Sequence, residues 1–148
     1  RVKNPYLFMS KIDLLVVPSI REPLGNVCLE AGLCRVPVLA ANVDGLPEII
    51  ENKISGELID ATEEISINTV QGAISLPEFV VNPVKGNLSA PKQINPSILA
   101  KRILKLSSQD DKLKYYSNEL NKKVKNKFSI DRYRRELHKM YREIDIKG

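Results

Sequence analysis

The sequence has no tryptophan, two cysteines and a single histidine among its 148 residues. Cys28 and Cys34 lie six positions apart on a predicted helix, which places them about 240° apart around its axis. With His138 as the sole histidine, a zinc site would lack ligands. We therefore expect two free, buried thiols and no metal centre.

Long apolar runs are also absent. Runs such as residues 14–17 are far too short to cross a bilayer, and no signal-peptide pattern opens the chain. These absences predict a cytoplasmic location. The first residue is Arg1, and a segment typical of a domain interior follows almost at once. We therefore expect the chain to be part of a longer protein.

Charge is divided unevenly along the chain. Residues 1–97 carry 8 Lys and Arg against 11 Asp and Glu, whereas residues 98–148 carry 15 against 7. A hydrophobic content of 43% is enough for one globular core. The basic C-terminal part predicts either a solvated surface or peripheral contact with the inner face of an anionic membrane. No basic groove with interleaved aromatic residues indicates a nucleic-acid partner.

Strand-like and helix-like segments alternate along the first 59 residues. Residues 13–18 include a continuous apolar run, typical of a strand buried on both faces, and residues 26–33 suit a helix. A second strand over residues 36–41, a short helix containing Pro47 and a third strand over residues 56–59 follow. This order predicts an α/β fold with a parallel sheet.

The C-terminal part reads as helices with two apolar stripes. The first stripe consists of Leu113, Tyr116, Leu120 and Val124, and the second of Ile130, Tyr133, Leu137 and Tyr141. We expect both stripes to face the core.

Residues 22–30, EPLGNVCLE, place two glutamates around a predicted helix start. The unpaired amides of Gly25, Asn26 and Val27 would bind phosphate or sugar oxygens there, and Gly25 has no Cβ to hinder their approach. Glu30, one turn further, could accept hydrogen bonds from ribose hydroxyls, with Glu22 on the opposite side beside a transferable sugar. The simpler alternative has Glu22 solvated in a loop and Glu30 as a charge favoured by the helix dipole. About one glutamate pair with this spacing is expected by chance, so the spacing does not decide.

Residues 13–59 resemble the donor-binding half of family 4 retaining glycosyltransferases of the GT-B fold. The similarity covers residues 2–58 and resumes near residues 95–104 and 127–141. Arg35 stands where that family usually has a small residue, often glycine, and Gly32 replaces a larger apolar one. We interpret both departures as packing variations. The shared pattern consists of Asp13, Pro18-Ser19, Glu22, Glu30-Ala31, Cys34, Pro37-Val38 and Gly45-x-Pro47-Glu48.

The resemblance implies a Rossmann-like, parallel-sheet C-terminal domain that is incomplete at its N-terminus. Its implied function is retaining transfer of a hexose from a nucleotide-activated sugar to a glycan or lipid-linked acceptor, as in polysaccharide biosynthesis. Glu30 would hold the ribose, Glu22 would contact the donor sugar as the catalytic residue, and Gly25, Asn26 and Val27 would hold phosphate and sugar oxygens. No residue can be assigned as a general base, and no cofactor or metal is expected besides the nucleotide sugar.

In that family, the basic pair that clamps the pyrophosphate and the N-terminal acceptor domain both precede this stretch. We therefore expect no transferase turnover from this chain by itself. The alternative function is a non-enzymatic basic module, in which the C-terminal helices bind an anionic membrane or an acidic partner and the α/β part is a scaffold.

Residues 46–58 and 76–88 share six residues at a constant offset of 30. Removing residues 59–88 would restore a continuation similar to the family. Within a partial donor-binding domain spanning 1–148, we therefore predict a duplicated insertion at 59–88 and a helical part at 96–148. The insertion would be a surface element clear of the donor site, with Glu78 copying Glu48 but lacking its role. The alternative is coincidence between two short turn-and-strand segments.

Overall fold

The computed structural model describes residues 3–65 and 75–145. A parallel sheet contains β1 (Leu15–Val17), β2 (Val38–Ala41) and β3 (Glu57–Ile59) in the order β1-β2-β3. Leu15 pairs with Val38, and Leu39 pairs with Glu57. The helices α1 (Pro5–Met9), α2 (Asn26–Leu33) and α3 (Leu46–Ile49) precede or connect these strands. The predicted α/β fold with a parallel sheet is confirmed.

The remaining elements are a hairpin and three longer helices. Strands β4 (Val80–Asn82) and β5 (Asn87–Ser89) pair in antiparallel fashion. The helices α4 (Pro96–Ser107), α5 (Asp110–Lys127) and α6 (Ile130–Asp145) complete the described part. Within residues 3–65 and 75–145, none of the helices is both long enough and apolar enough to cross a membrane.

The core lies between the parallel sheet, α2 and α5. All four residues of β2 are buried, as a central parallel strand requires. On α5, Tyr116, Leu120 and Val124 are buried, which confirms the first apolar stripe. A Cβ on Gly32 would lie 2.7 Å from Cγ2 of Val124, so glycine allows α2 and α5 to pack closely. The departure at Gly32 is therefore a packing variation, as expected.

The second apolar stripe does not face the core. Ile130, Tyr133 and Tyr141 on α6 are 72%, 61% and 59% exposed. The prediction that these residues form a core face is wrong. Helical periodicity shows that a face is apolar, but it does not identify the surface that covers it.

Arg35 lies in a backbone conformation that favours glycine. Its φ is 58°, and it directly follows Cys34, the residue that caps the C-terminus of α2. Glycine is favoured at this position because a left-handed conformation is strained for a residue with a Cβ. The guanidinium donates to Oδ1 of Asn118 at 2.6 Å, which ties the turn to α5. This contact between the turn and α5 is compatible with a packing variation at Arg35, and the interpretation stays a prediction.

The two similar segments have different conformations. Leu46–Ile49 is helical, whereas the matching residues 76–79 are not, and Val80 begins β4. Val80 is 5% exposed and belongs to the hydrophobic core. The hairpin therefore contributes a residue to the core, and the prediction of a purely surface element is wrong. Residues 66–74 of the predicted insertion lie outside the described residues, and the insertion itself stays a prediction.

A buried carboxylate joins the sheet to the C-terminal helices. Glu57 on β3 is 3% exposed. Its carboxylate forms ion pairs with Lys112 Nζ at 2.8 Å and Arg102 Nη1 at 3.0 Å, and it accepts a hydrogen bond from the Tyr116 hydroxyl at 3.1 Å. Burial alone would raise the pKa of Glu57. The hydrogen bonds from Lys112 and Tyr116 and the charges of Lys112 and Arg102 outweigh it, so the pKa is lowered.

We expect Glu57→Gln to destabilise the fold by about 1.5 to 3 kcal/mol, because the buried charge-assisted hydrogen bonds are lost. A lowered folded-state pKa stabilises the protein above the ordinary carboxyl pKa, and this contribution disappears as the pH falls through the lowered value. Thermal unfolding between pH 3 and pH 7 measures both effects. The difference between wild type and variant should narrow at the acidic end. A difference that does not change with pH would contradict the linkage.

Candidate functional site

The candidate site lies at the carboxyl edge of the parallel sheet, where the loops that follow β1 and β2 meet. The backbone N–H of Gly45 donates to the carbonyl of Glu22 at 3.2 Å, which joins the two loops. A neighbouring bond, from Asn42 Nδ2 to Asp60 Oδ1 at 2.7 Å, joins the loops that follow β2 and β3. Ligands of open α/β sheets bind at this edge.

Gly25 caps α2 in a conformation that requires glycine. Its φ is 94°, and a Cβ would lie 2.7 Å from Cδ2 of Leu46. Its N–H donates to Oε1 of Glu22 at 3.1 Å. The glycine is therefore needed for backbone conformation and packing. The expectation that its amide is open to a ligand is corrected, because Glu22 already occupies it.

The next two amides are without a hydrogen bond, and their role in binding stays a prediction. In the first turn of α2, the N–H groups of Cys28 and Leu29 both point to the carbonyl of Gly25. No hydrogen bond is made by the N–H of Asn26 or Val27 within the described part of the chain. These two donors stand at the positive end of the helix dipole, where an anion is stabilised.

The Glu22 side chain is folded back over the start of α2. Its Oε1 accepts from Gly25, and its backbone N–H donates to Oδ2 of Asp44 at 2.9 Å. Among residues 3–65 and 75–145, no donor reaches its Oε2. Glu22 is half-buried, so it is not the fully solvated loop carboxylate of the simpler alternative. One carboxylate oxygen remains for an external hydroxyl.

Glu30 lies one turn along α2, on the exposed surface. It lines a cavity of about 260 Å³ between α1 and α2, together with Asn4, Tyr6 and Cys34. The walls of this cavity are mainly apolar. A planar or ring-shaped group could therefore pack there while Glu30 accepts hydrogen bonds at its edge.

Both cysteines are free. Burial and the nearby charge of Glu22 raise the pKa of Cys28 to about 12. Burial and the charge of Glu30 also raise the pKa of Cys34, which is only partly buried. Neither thiol is activated as a nucleophile. The expectation of free thiols is confirmed, although only Cys28 is fully buried.

Sequence reasoning missed Asp44. Its carboxylate accepts from the backbone N–H of Glu22 at 2.9 Å and from that of Val81 at 2.7 Å. Its own N–H donates to the carbonyl of Val81 at 3.1 Å. The signal available in the sequence was an aspartate before glycine in a turn, which is too common to indicate a site. Asp44 joins the hairpin to Glu22. The prediction that the insertion lies away from the donor site is therefore wrong for the hairpin.

No group of three or more His, Cys, Asp or Glu side chains that could hold a metal ion occurs among the described residues. The candidate site consists instead of the free amides of Asn26 and Val27 and two carboxylates. Glu22 is hydrogen-bonded to Gly25, and Glu30 is exposed.

The profile of the family described as "Glycosyl transferases group 1" matches residues 1–74, half of the chain. The chain belongs to this family. A D-inositol 3-phosphate glycosyltransferase from Segniliparus rotundus is 47% identical over 49 residues, which cover 33% of the chain and 11% of the relative. An alpha-maltose-1-phosphate synthase from Mycobacterium tuberculosis is 43% identical over 51 residues, covering 34% and 13%. The match thus spans little more than a tenth of each curated relative.

Solved structures are similar in fold over most of the chain. Anabaena HepE in complex with UDP-glucose superposes with a TM-score of 0.63 and 20% identity, covering 92% of the chain and 29% of HepE. A sucrose-phosphate synthase from Thermosynechococcus elongatus gives 0.67 and 20%, covering 96% and 28%. At this identity the likeness shows the fold alone. The chain has the Rossmann-like α/β fold of the C-terminal domain of GT-B glycosyltransferases.

We expect Asp44→Ala to lower the melting temperature by roughly 5 to 10 °C, because two backbone N–H groups lose a charged acceptor. Asp44 also has a φ of 45°, which alanine tolerates poorly. Asp44→Gly therefore serves as the matched control, since it removes the carboxylate without a Cβ penalty. Thermal unfolding of both variants should show a clear loss. Wild-type stability in Asp44→Gly would mean that the carboxylate bridge contributes nothing.

Proposed function

We propose that the chain is the donor-binding part of a retaining family 4 glycosyltransferase. In this proposal it binds a nucleotide-activated hexose, which the whole enzyme transfers to a glycan or lipid-linked acceptor in polysaccharide biosynthesis at the cytoplasmic side. Membership of the group 1 family supports transferase activity. The complexes of the Anabaena neighbour with UDP-glucose and UDP support a nucleotide sugar as the donor.

The observation that carries the proposal is the pair of unbonded amides at the start of α2, placed between two carboxylates. The N–H groups of Asn26 and Val27 would hold a phosphate oxygen of the donor. Glu30 would accept hydrogen bonds from the ribose, with the nucleoside in the adjacent cavity. Oε2 of Glu22 would accept a hydroxyl of the donor sugar.

This arrangement would contribute to catalysis mainly through electrostatics. Cleavage of the bond between the sugar and the diphosphate develops negative charge on the leaving group, and the free amides and dipole of α2 face that charge. Retention of configuration would follow from attack on the same face of the sugar, assisted by the leaving phosphate. No described residue takes the role of general base in this scheme.

A second candidate function rests on α6. Its apolar stripe is exposed, and five cations on the helix favour an anionic membrane surface as a partner. However, Arg132, Arg134 and Lys139 pair with carboxylates of the same helix, which reduces the charge available to lipid. The apolar face therefore supports this candidate more than the charge does.

We expect Glu30→Gln to weaken nucleotide-sugar binding by the complete enzyme roughly 10- to 150-fold, because a charge-assisted hydrogen bond contributes about 1.5 to 3 kcal/mol. Calorimetric titration with UDP-, GDP- and ADP-sugars measures the change. Glu78→Gln is the matched control, since Glu78 is exposed and was predicted to have no donor role.

Alkylation of Cys34 gives a second readout of the same binding. Cys34 lines the cavity beside Glu30, so a bound nucleoside should slow its alkylation, and Glu30→Gln should abolish the protection. Equal affinity of wild type and Glu30→Gln for the bound donor would remove Glu30 from the site. Binding of none of the three nucleotide sugars by the complete enzyme would contradict the proposal as a whole.

For the second candidate, we expect the paired substitution Ile130→Asn and Tyr141→Asn to abolish co-sedimentation with phosphatidylserine vesicles, because both side chains belong to the exposed stripe. Vesicles of phosphatidylcholine alone test the contribution of charge. If wild-type protein does not sediment with either vesicle, the membrane candidate is wrong.

A further inference from the structure

The hairpin and the edge of the parallel sheet enclose a second cavity, separate from the one beside Glu30. Its volume is about 350 Å³. One wall is the segment after β2, including Asn42 and Val43, and another is the segment after β3, including Thr62. The hairpin closes it, with Val81 and Lys85 among the lining residues. The family match ends at residue 74, so the hairpin is contributed by a segment outside that match.

The lining of this cavity mixes polar and apolar residues, and both of its charged side chains are cationic. Lys85 and Lys92 both line it, and none of the lining residues is an aspartate or glutamate. Lys92 Nζ lies 2.9 Å from Oε1 of Glu64, which neutralises part of its charge. Lys85 makes no ion pair within residues 3–65 and 75–145. The unpaired charge of Lys85 favours an anionic group, against the carboxylates of Asp60 and Asp44, which are bonded to the lining residues Asn42 and Val81. The other polar lining residues are Asn42, Thr62, Asn82 and Ser89.

The turn that carries Lys85 has a defined geometry. Oδ1 of Asn82 accepts from the N–H groups of Val84 and Lys85 at 3.0 and 3.1 Å. The N–H of Gly86 donates to the carbonyl of Asn82 at 2.8 Å, and Gly86 has a φ of 65°. These bonds fix the backbone at Lys85, so little entropy is lost in positioning the base of its side chain.

The cavity adjoins the candidate donor site through Asp44. The two oxygens of this carboxylate accept from the N–H of Val81, in the cavity wall, and from the N–H of Glu22. The two backbone nitrogens therefore lie within about 8 Å of each other. The wall of the pocket and the loop that carries Glu22 are therefore neighbours.

We propose that this hairpin pocket binds a phosphate group of the acceptor. The proposal rests on the function proposed above, because it takes Glu22 to mark the donor sugar. The acceptor phosphate contacts Lys85 and Lys92 and the polar side chains around them. Its reacting hydroxyl is thereby presented across the loop that contains Asp44. The hairpin then determines specificity for the acceptor, while α2 binds the donor.

Two-dimensional NMR of the ¹⁵N-labelled chain tests the pocket with inorganic phosphate at constant ionic strength, with and without saturating UDP. We expect phosphate to shift the amides of Val81, Lys85 and Gly86, and UDP to shift those of Asn26 and Val27. Lys85→Gln should weaken phosphate binding about three- to fivefold, as expected for an exposed charge pair. Lys105→Gln is the matched control, because Lys105 is exposed on α4, outside the pocket.

The outcomes separate this proposal from the donor assignment. Shifts at the hairpin that persist under saturating UDP support an acceptor subsite. Shifts that UDP itself produces at Lys85, or that UDP abolishes by competition, would assign the pocket to the donor diphosphate and overturn the proposal. UDP binding at α2 without any phosphate shift at the hairpin would also overturn it, while the donor assignment would survive. Equal effects of Lys85→Gln and Lys105→Gln would show non-specific attraction.

Discussion

The carboxylate of Asp44 is the contact on which the geometry of the site depends. It accepts from backbone groups that are 22 positions before it and 37 positions after it in the chain. A charged acceptor stabilises each bond more than a neutral one would. The position of Glu22, and with it the start of α2, therefore depends on a residue from the neighbouring loop.

Close packing of the two loops reinforces this bridge. A Cβ on Gly45 would lie 2.2 Å from the carbonyl oxygen of Pro23, and real Cβ atoms do not come so close. Gly25 is restricted in a different way, by its positive φ and by Leu46. The backbone that presents the free amides of α2 can therefore move little without breaking contacts. Donors fixed in this way need no reorganisation when charge develops on a leaving group, which is the condition for electrostatic catalysis.

The sequence predicted the elements whose signals are local. The bounds of α2 were found because a glycine and a proline precede its apolar periodicity and an arginine and a proline follow it. The Asp44 bridge could not be found in this way, because its partners are distant in the chain and are backbone groups, which leave no trace in side-chain patterns. The occupied amide of Gly25 was missed although its partner is only three positions away, because the carboxylate of Glu22 was assigned to a ligand. A sequence shows which groups can bind a ligand, but not which of them the protein itself already uses.

The family match ends between the two residues that Asp44 connects, Glu22 and Val81. Residues 1–74 contain the parallel sheet, α2 and Asp44, whereas the hairpin lies beyond the match. Asp44 thus presents one carboxylate oxygen to each part. Because both bonds end on the same side chain, a shift of the hairpin changes the position of the carboxylate that holds Glu22. Two oxygens of one carboxylate cannot move independently, so their partners are coupled through a rigid group rather than through a flexible chain. A segment outside the shared family region can therefore influence the family's glutamate without contacting it.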